Sequence, residues 1–251
     1  MFEIQNNVLV KYNGHGISAR IPEGVTEIAE AVFCGQSRLE YIAIPDGVTK
    51  IGARAFGGCS QLSSVAIPDG VTEISASMLQ DCEDLSRVTL PAGLQRIGRY
   101  AFYGCRRLER LQLPEGVVYI GEMVFANCEA LREFTLPVSL REIGYGAFMG
   151  CEHLEHLVIP EGVTAVPAKA FAGCTRLRTV KLPETLVGIG NGAFDGCKSL
   201  QKLQLPETLQ EIGREAFRGC KSLRGIQLPK GAAVGEAAFE GCVNLTLSEG
   251  K

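Results

Sequence analysis

Tryptophan is absent from this 251-residue chain, and histidine occurs only three times. With His15, His153 and His156 the sole imidazoles, a Ser-His-Asp or Cys-His nucleophilic arrangement has almost nothing to be built from. No stretch approaches the roughly 18 apolar residues of a membrane-spanning helix. A cationic excess is missing too. The 25 basic residues stand against 28 acidic ones, a net charge of −3, which removes the electrostatic signature of a nucleic-acid binder. The opening residues, MFEIQNNVLVKYNG, carry no basic start, apolar core or cleavage site, so no secretory leader is visible. Neither CxxC metal spacing nor a GxGxxG phosphate loop before a helix occurs. What remains is ordinary globular composition, 46% hydrophobic and 21% charged, which excludes a disordered chain.

Proline shows what the chain is. Pro22, Pro45, Pro68, Pro91, Pro114, Pro137, Pro160, Pro183, Pro206 and Pro229 follow one another at intervals of 23, and only Pro167 falls outside the series. A fixed period of that size marks a stacked array, which grows by adding coils rather than domains. Six residues before each proline from Pro45 onward stands a leucine, from Leu39 to Leu223, and an apolar residue stands three before and one before. This is a short strand closed by proline. The following IPEGV and IPDGV segments fit a turn with proline at its second position. An apolar pair such as Val48 and Ile51 then predicts a second short strand. An Ala-Phe segment predicts a single helical turn, closed at Gly58, Asp81, Gly104, Asn127 and their equivalents by a left-handed residue just before a cysteine. Pro167 then suits a first helical position. A lone coil cannot offset the entropy of ordering its backbone, so each coil's burial is completed by its neighbours.

The unit LxxLxLPxxLxxIgxxAFxxCxx, as in LERLQLPEGVVYIGEMVFANC, resembles the BspA-like subclass of leucine-rich repeats over about 90% of the chain. The resemblance implies an α/β fold: a right-handed solenoid with a parallel sheet on one side and helical or 3₁₀ turns on the other. It also implies a single domain, in which residues 1–20 form a capping hairpin and residues 21–251 form ten coils. Such proteins serve as binding surfaces, frequently in bacterial adhesion.

Ten cysteines invite a chemical reading. Eight of them, Cys59 to Cys220, keep the 23-residue spacing, while Cys34 and Cys242 stand slightly out of register. In a stacked array they form one column, read as a ladder of buried free thiols, with disulfides as the alternative. Unpaired thiols and the lack of a visible leader point to the cytoplasm. A secreted or cell-surface location is the alternative if a leader has been removed. The CEHLEH segment holds Cys151, His153 and His156, but it alternates with inward leucines, so the histidines are read as solvated and no metal, cofactor or catalytic site is expected.

Specificity is expected where coils differ. On the strand side the variable positions place Tyr41, Arg87, Arg110, Glu133, His156, Lys181 and Lys202 in one polar, weakly basic face. A second candidate gathers Tyr100, Tyr103, Tyr119, Met123, Tyr145 and Met149, all at positions that are small or polar in other coils and so directed outward. The function expected is non-catalytic recognition of a protein partner. The alternative is an adhesin domain taking a host or matrix protein or a glycan. Nucleic acid and membrane insertion are not expected. Self-association is expected, if at all, through the aromatic patch or through the C-terminal sheet edge, where LTLSEGK shows no evident cap.

Overall fold

The computed structural model describes residues 2–249. Two antiparallel strands open it, β1 (Phe2–Gln5) and β2 (Val8–Tyr12). Asn6 and Asn7 join them at φ 50° and 63°, the left-handed pair that a tight hairpin turn requires. Every later strand pairs in parallel. Each coil contributes a three-residue strand from LxxLxL, such as Arg110–Gln112, and most add a two-residue strand from the apolar pair, such as Tyr119–Ile120. The first strand recurs eleven times between Ser18–Arg20 and Leu247–Glu249, with Lys202 holding its place by a single bridge to Thr179. That is one rung more than the ten proline-marked coils, because the chain enters an eleventh before it ends.

The coil interior is apolar throughout. No polar or charged residue is buried in it among the described residues, and the Phe rings stack with centroids 5.2–5.4 Å apart from Phe102 to Phe239. Leu79 interrupts that column, and Tyr12 of the hairpin packs against Phe33 at its other end. The proline turn sits one residue later than the sequence suggests. The Val48, Val71 and Val117 N–H groups donate to the Pro45, Pro68 and Pro114 carbonyls, so proline opens the turn rather than occupying its second position.

The largest departure from the sequence reading is at Ala-Phe. The described residues contain no helix, so the helical or 3₁₀ turns, and with them the α/β class, are corrected to an all-β solenoid. Two features prevent a helix. The residue before the cysteine is left-handed as expected, at φ 73° for Gly58 and 60° for Asn127, but a second left-handed residue stands four before it, at Arg54, Tyr100, Met123, Lys169 and their equivalents. Alternate N–H groups also leave the local turn. The Arg54, Phe56 and Gly58 N–H groups donate to the Ala76, Met78 and Gln80 carbonyls of the next coil, while Ala55, Gly57 and Cys59 close turns on their own coil. A helix would direct all of these groups along its own axis. The inter-coil triplet recurs at every junction from Ala31 to Glu240, so the side read as helical carries the most continuous hydrogen-bond ladder of the molecule.

The two strand ladders are less complete. The second-strand sheet breaks twice, between Lys50–Ile51 and Glu73–Ile74 and between Glu142–Ile143 and Ala165–Val166. Just after this strand most coils carry glycine (Gly52, Gly98, Gly121, Gly144, Gly190, Gly213, Gly235). A Cβ there would come within 2.8 Å of the neighbouring coil's backbone. The glycine N–H also donates to the preceding coil, as from Gly144 to Ile120 at 2.7 Å. Ser75 and Pro167 replace that glycine, and they stand at the two breaks. Proline has no N–H to give, so Pro167 is a missing rung rather than a helix start. At that same junction Glu133–Thr135 and His156–Val158 are also unpaired, and the coils are held there by the turn-side ladder.

Candidate functional site

The strand-side candidates all reach solvent. Tyr41 is 54% exposed, and Arg87, Arg110, Glu133, His156, Lys181 and Lys202 are exposed beside it. The cause is the period of two: Leu111, Phe134, Leu157, Val180 and Leu203 turn inward, and their neighbours turn out. Stacking puts equivalent residues side by side. Arg110 and Glu133 form an ion pair at 3.4 Å, and His156 Nδ1 lies 2.7 Å from Thr179 Oγ1. Lys181 and Lys202 form no ion pair among the described residues.

Three hollows lie along this face. The first spans Arg110 to His156. It shares Phe134, Thr135 and His156 with the second, which shares Thr179, Val180 and Lys181 with the third. Together they make one shallow groove over the C-terminal half of the molecule. The third hollow, about 700 Å³, lies where Lys202 to Leu205 lacks strand pairing with the next coil and where Gly225 presents no side chain. Val158, 57% exposed, adds an apolar spot to the middle. One rim was missed by the sequence reading. Glu115, Glu184 and Glu207 line it, each the residue after a coil proline. The signal was present, since Glu23, Asp46, Asp69 and Glu161 hold the same position.

The aromatic candidates are only partly gathered. Tyr145 is 47% exposed, and the other five are half-buried. Tyr100 and Tyr103 meet edge to face at 5.8 Å, the Tyr103 hydroxyl accepts from Asn127 Nδ2 at 3.1 Å, and Met123 and Met149 flank Gly146. Tyr119 belongs to the second-strand sheet, where the Arg96 guanidinium covers its ring at 4.1 Å.

The cysteine column is a thiol ladder. Cys59 to Cys220 are free and buried, and each Sγ–H donates to a carbonyl 26 residues back, at Phe33 for Cys59 and Phe125 for Cys151, 3.1–3.2 Å away. Burial pushes the Cys59 and Cys174 thiols up to about 12, and raises Cys82, Cys105, Cys128, Cys151 and Cys197 well above the ordinary thiol range. Such thiols are poor nucleophiles and poor ligands. Cys151, His153 and His156 do not converge, since His153 Nδ1 lies 2.8 Å from the Glu129 carbonyl and Cys151 points inward. Among the described residues no group of three His, Cys, Asp or Glu could hold a metal ion.

The sequence reading also missed a charge network on the turn side. Arg218 holds both Asp195 carboxylate oxygens, at 2.8 and 3.1 Å, and Lys169 reaches one at 3.1 Å. Partial burial opposes ionisation of Asp195, but these cations outweigh it and hold the carboxyl below its usual range. Seven of the ion pairs, Lys50–Glu27 and Arg132–Glu109 among them, join residues 23 apart and so favour one stacking register.

Comparison with known proteins matches this repeat. The BspA-type leucine-rich repeat model fits residues 26–155 and 141–248, in six copies. The chain belongs to the BspA-type leucine-rich repeat family. A leucine-rich repeat protein from T. pallidum is 31% identical over 80% of this chain and 88% of its own, with a TM-score of 0.59. One from Bacteroides ovatus is 24% identical, covering 100% of this chain and 98% of its own, with a TM-score of 0.58. The pneumococcal vaccine antigen PcpA is similar in fold alone, at 20% identity over 93% of this chain and 68% of its own, with a TM-score of 0.61. No curated protein matches. The fold is that of a repeat scaffold, from a family that is typically non-catalytic.

Proposed function

We propose that this BspA-type solenoid is a protein-recognition scaffold whose strand-side groove receives the partner. The carrying observation is the continuity of the groove from Arg110 to Gln227, with side chains that change from coil to coil over a constant apolar floor. Arg110, Arg132, Lys181 and Lys202 line the groove together with Glu115, Glu133, Glu184 and Glu207, so the pattern of charge along it, rather than an excess of one sign, orients a partner. The free, buried thiols support a reducing compartment as part of this reading.

Photo-crosslinking tests it. A benzophenone side chain is placed at exposed Gln112 or Gln204 on the strand side, and at exposed Asn191 on the turn side, in the chain expressed in its own host. The expected result is a discrete protein adduct from the strand-side positions alone. Adducts from Asn191 only, or equal adducts from both sides, would overturn the assignment.

A further inference from the structure

We infer that the junction between the coils of Glu133–Thr135 and His156–Val158 is a hinge, on which the two halves of the solenoid bend about their turn side and reshape the strand-side groove. The hinge itself rests on the bonding between coils. Its use in recognition rests on the strand side being the binding face. Among the described residues this is the one junction where both strand ladders lapse together. From Glu155 to Pro167 no backbone hydrogen bond reaches the preceding coil. Pro167 is one cause, since it has no N–H to offer the Ile143 carbonyl. The junction before it is the opposite case. There both strands pair, and the Gly144 N–H donates to Ile120.

The charges divide at the same place. Arg110–Glu133, Arg132–Glu109 and Arg106–Glu129 tie the coil before the junction backward. Arg178–Glu155 and Lys169–Asp195 tie the coil after it forward. No ion pair among the described residues crosses it. What does cross lies in one short run on the turn side. The Gly146, Phe148 and Gly150 N–H groups donate to the Ala168, Ala170 and Ala172 carbonyls at 2.8–3.1 Å. The Cys174 thiol donates to the Phe148 carbonyl at 3.2 Å, and Phe148 stacks on Phe171 at 5.4 Å. His153 ends the run, its N–H donating to the Glu129 carbonyl at 3.2 Å. Bonds gathered along one side, with none on the two strand sides, make a pivot. The second hollow, about 350 Å³, lies on the open side and is lined by Phe134, Thr135, His156, Leu157 and Val158. Phe134 and Leu157 are buried, which limits the motion to bending that keeps the interior closed to water. The first and third hollows lie on opposite halves, so the angle at the pivot sets how both meet one partner.

Distances between spin labels on the free chain test this. A ketone-bearing amino acid takes a ketone-reactive label and leaves the ten cysteines untouched. Ala66 and Lys181, exposed on the strand side five coils apart, span the hinge. Arg20 and Thr135, also exposed and five coils apart, stop short of it. Ala76 and Asn191 span it on the turn side. Five coils are on the order of 25 Å, within reach of pulsed electron resonance. The distance distribution of Ala66–Lys181 should be at least about twice as wide as those of the other two pairs. Pro167→Gly should narrow it. Unfolding midpoints confirm that the labelled chains keep the fold. Equal widths for the two strand-side pairs, a turn-side pair as wide as Ala66–Lys181, or indifference to Pro167→Gly would overturn the inference. If crosslinks map to the strand side while the widths are equal, the hinge falls and the binding face stands. If the distribution is wide while crosslinks avoid that side, the hinge stands and its use in recognition falls.

Discussion

Gly144→Ala isolates the contact on which coil spacing depends. Gly144 has no left-handed backbone, so alanine suits its conformation. The obstacle is steric. The new Cβ would lie within 2.6 Å of the Glu122 nitrogen and of the Gly121 carbonyl carbon and oxygen. All three atoms are backbone, so no side chain can move aside. Ordinary contact begins near 3.4 Å, and the coils must therefore separate by about 1 Å. That movement stretches the Gly144 to Ile120 hydrogen bond, now 2.7 Å, and strains its neighbours. Overpacking costs about 1–3 kcal/mol and a weakened rung about 1 kcal/mol more, so the variant should lose about 2–4 kcal/mol. Gly93→Ala is the control, because nothing lies within 4 Å of a Cβ there. Urea unfolding followed by circular dichroism gives both values, with hydrogen exchange on each coil to detect loss of cooperativity in a repeat array. If Gly144→Ala is as harmless as Gly93→Ala, the glycine column does not set the spacing, and the sheet breaks at Ser75 and Pro167 need another cause.

Pro167→Gly should restore the missing rung to Ile143 and slow amide exchange between Ala165 and Ala168, with a net stability gain held to about 1 kcal/mol by the added freedom of glycine; unchanged exchange would refute the missing-rung account. Because burial raises the stacked thiols, the folded chain keeps protons that the unfolded chain releases. Their stabilisation is fully present below the ordinary thiol range and is lost as pH rises toward about 12. Each thiol then removes about 1.4 kcal/mol per pH unit, so unfolding midpoints should collapse steeply above about pH 9, and a Cys105→Ser/Cys151→Ser variant should show a shallower slope. Arg54→Gly should stabilise by about 0.5–1 kcal/mol in thermal unfolding, since Arg54 is exposed and held at φ 55°.

Much of this molecule was legible from its sequence because a repeat states each rule ten times. The proline series fixed the period, the leucine and phenylalanine columns marked the interior, and Asp81 and Asn127 in place of glycine marked a left-handed residue. The Ala-Phe turn was misread because its spacing suits a helix and because its decisive feature is invisible locally. Arg54, Tyr100 and Met123 are poor residues for a left-handed backbone, and each is held there by an N–H bond to the adjacent coil as well as a turn on its own. Pro167 was misread for the same reason, since its consequence is a donor missing from a neighbour. The acidic rim at Glu115, Glu184 and Glu207 was readable but overshadowed by the turn chemistry of its own segment.

The turn side carries the continuous inter-coil ladder, and the strand side, proposed above as the binding face, has an interrupted one. Residue-resolved hydrogen exchange on the free chain tests that division most directly. The account predicts the slowest exchange at the turn-side amides of Phe56, Phe102, Phe148 and Phe194, and faster exchange at Phe134 and Leu203, which face the breaks in the strand-side ladder. Strand amides protected as strongly as the turn-side ladder, or more strongly, would contradict it.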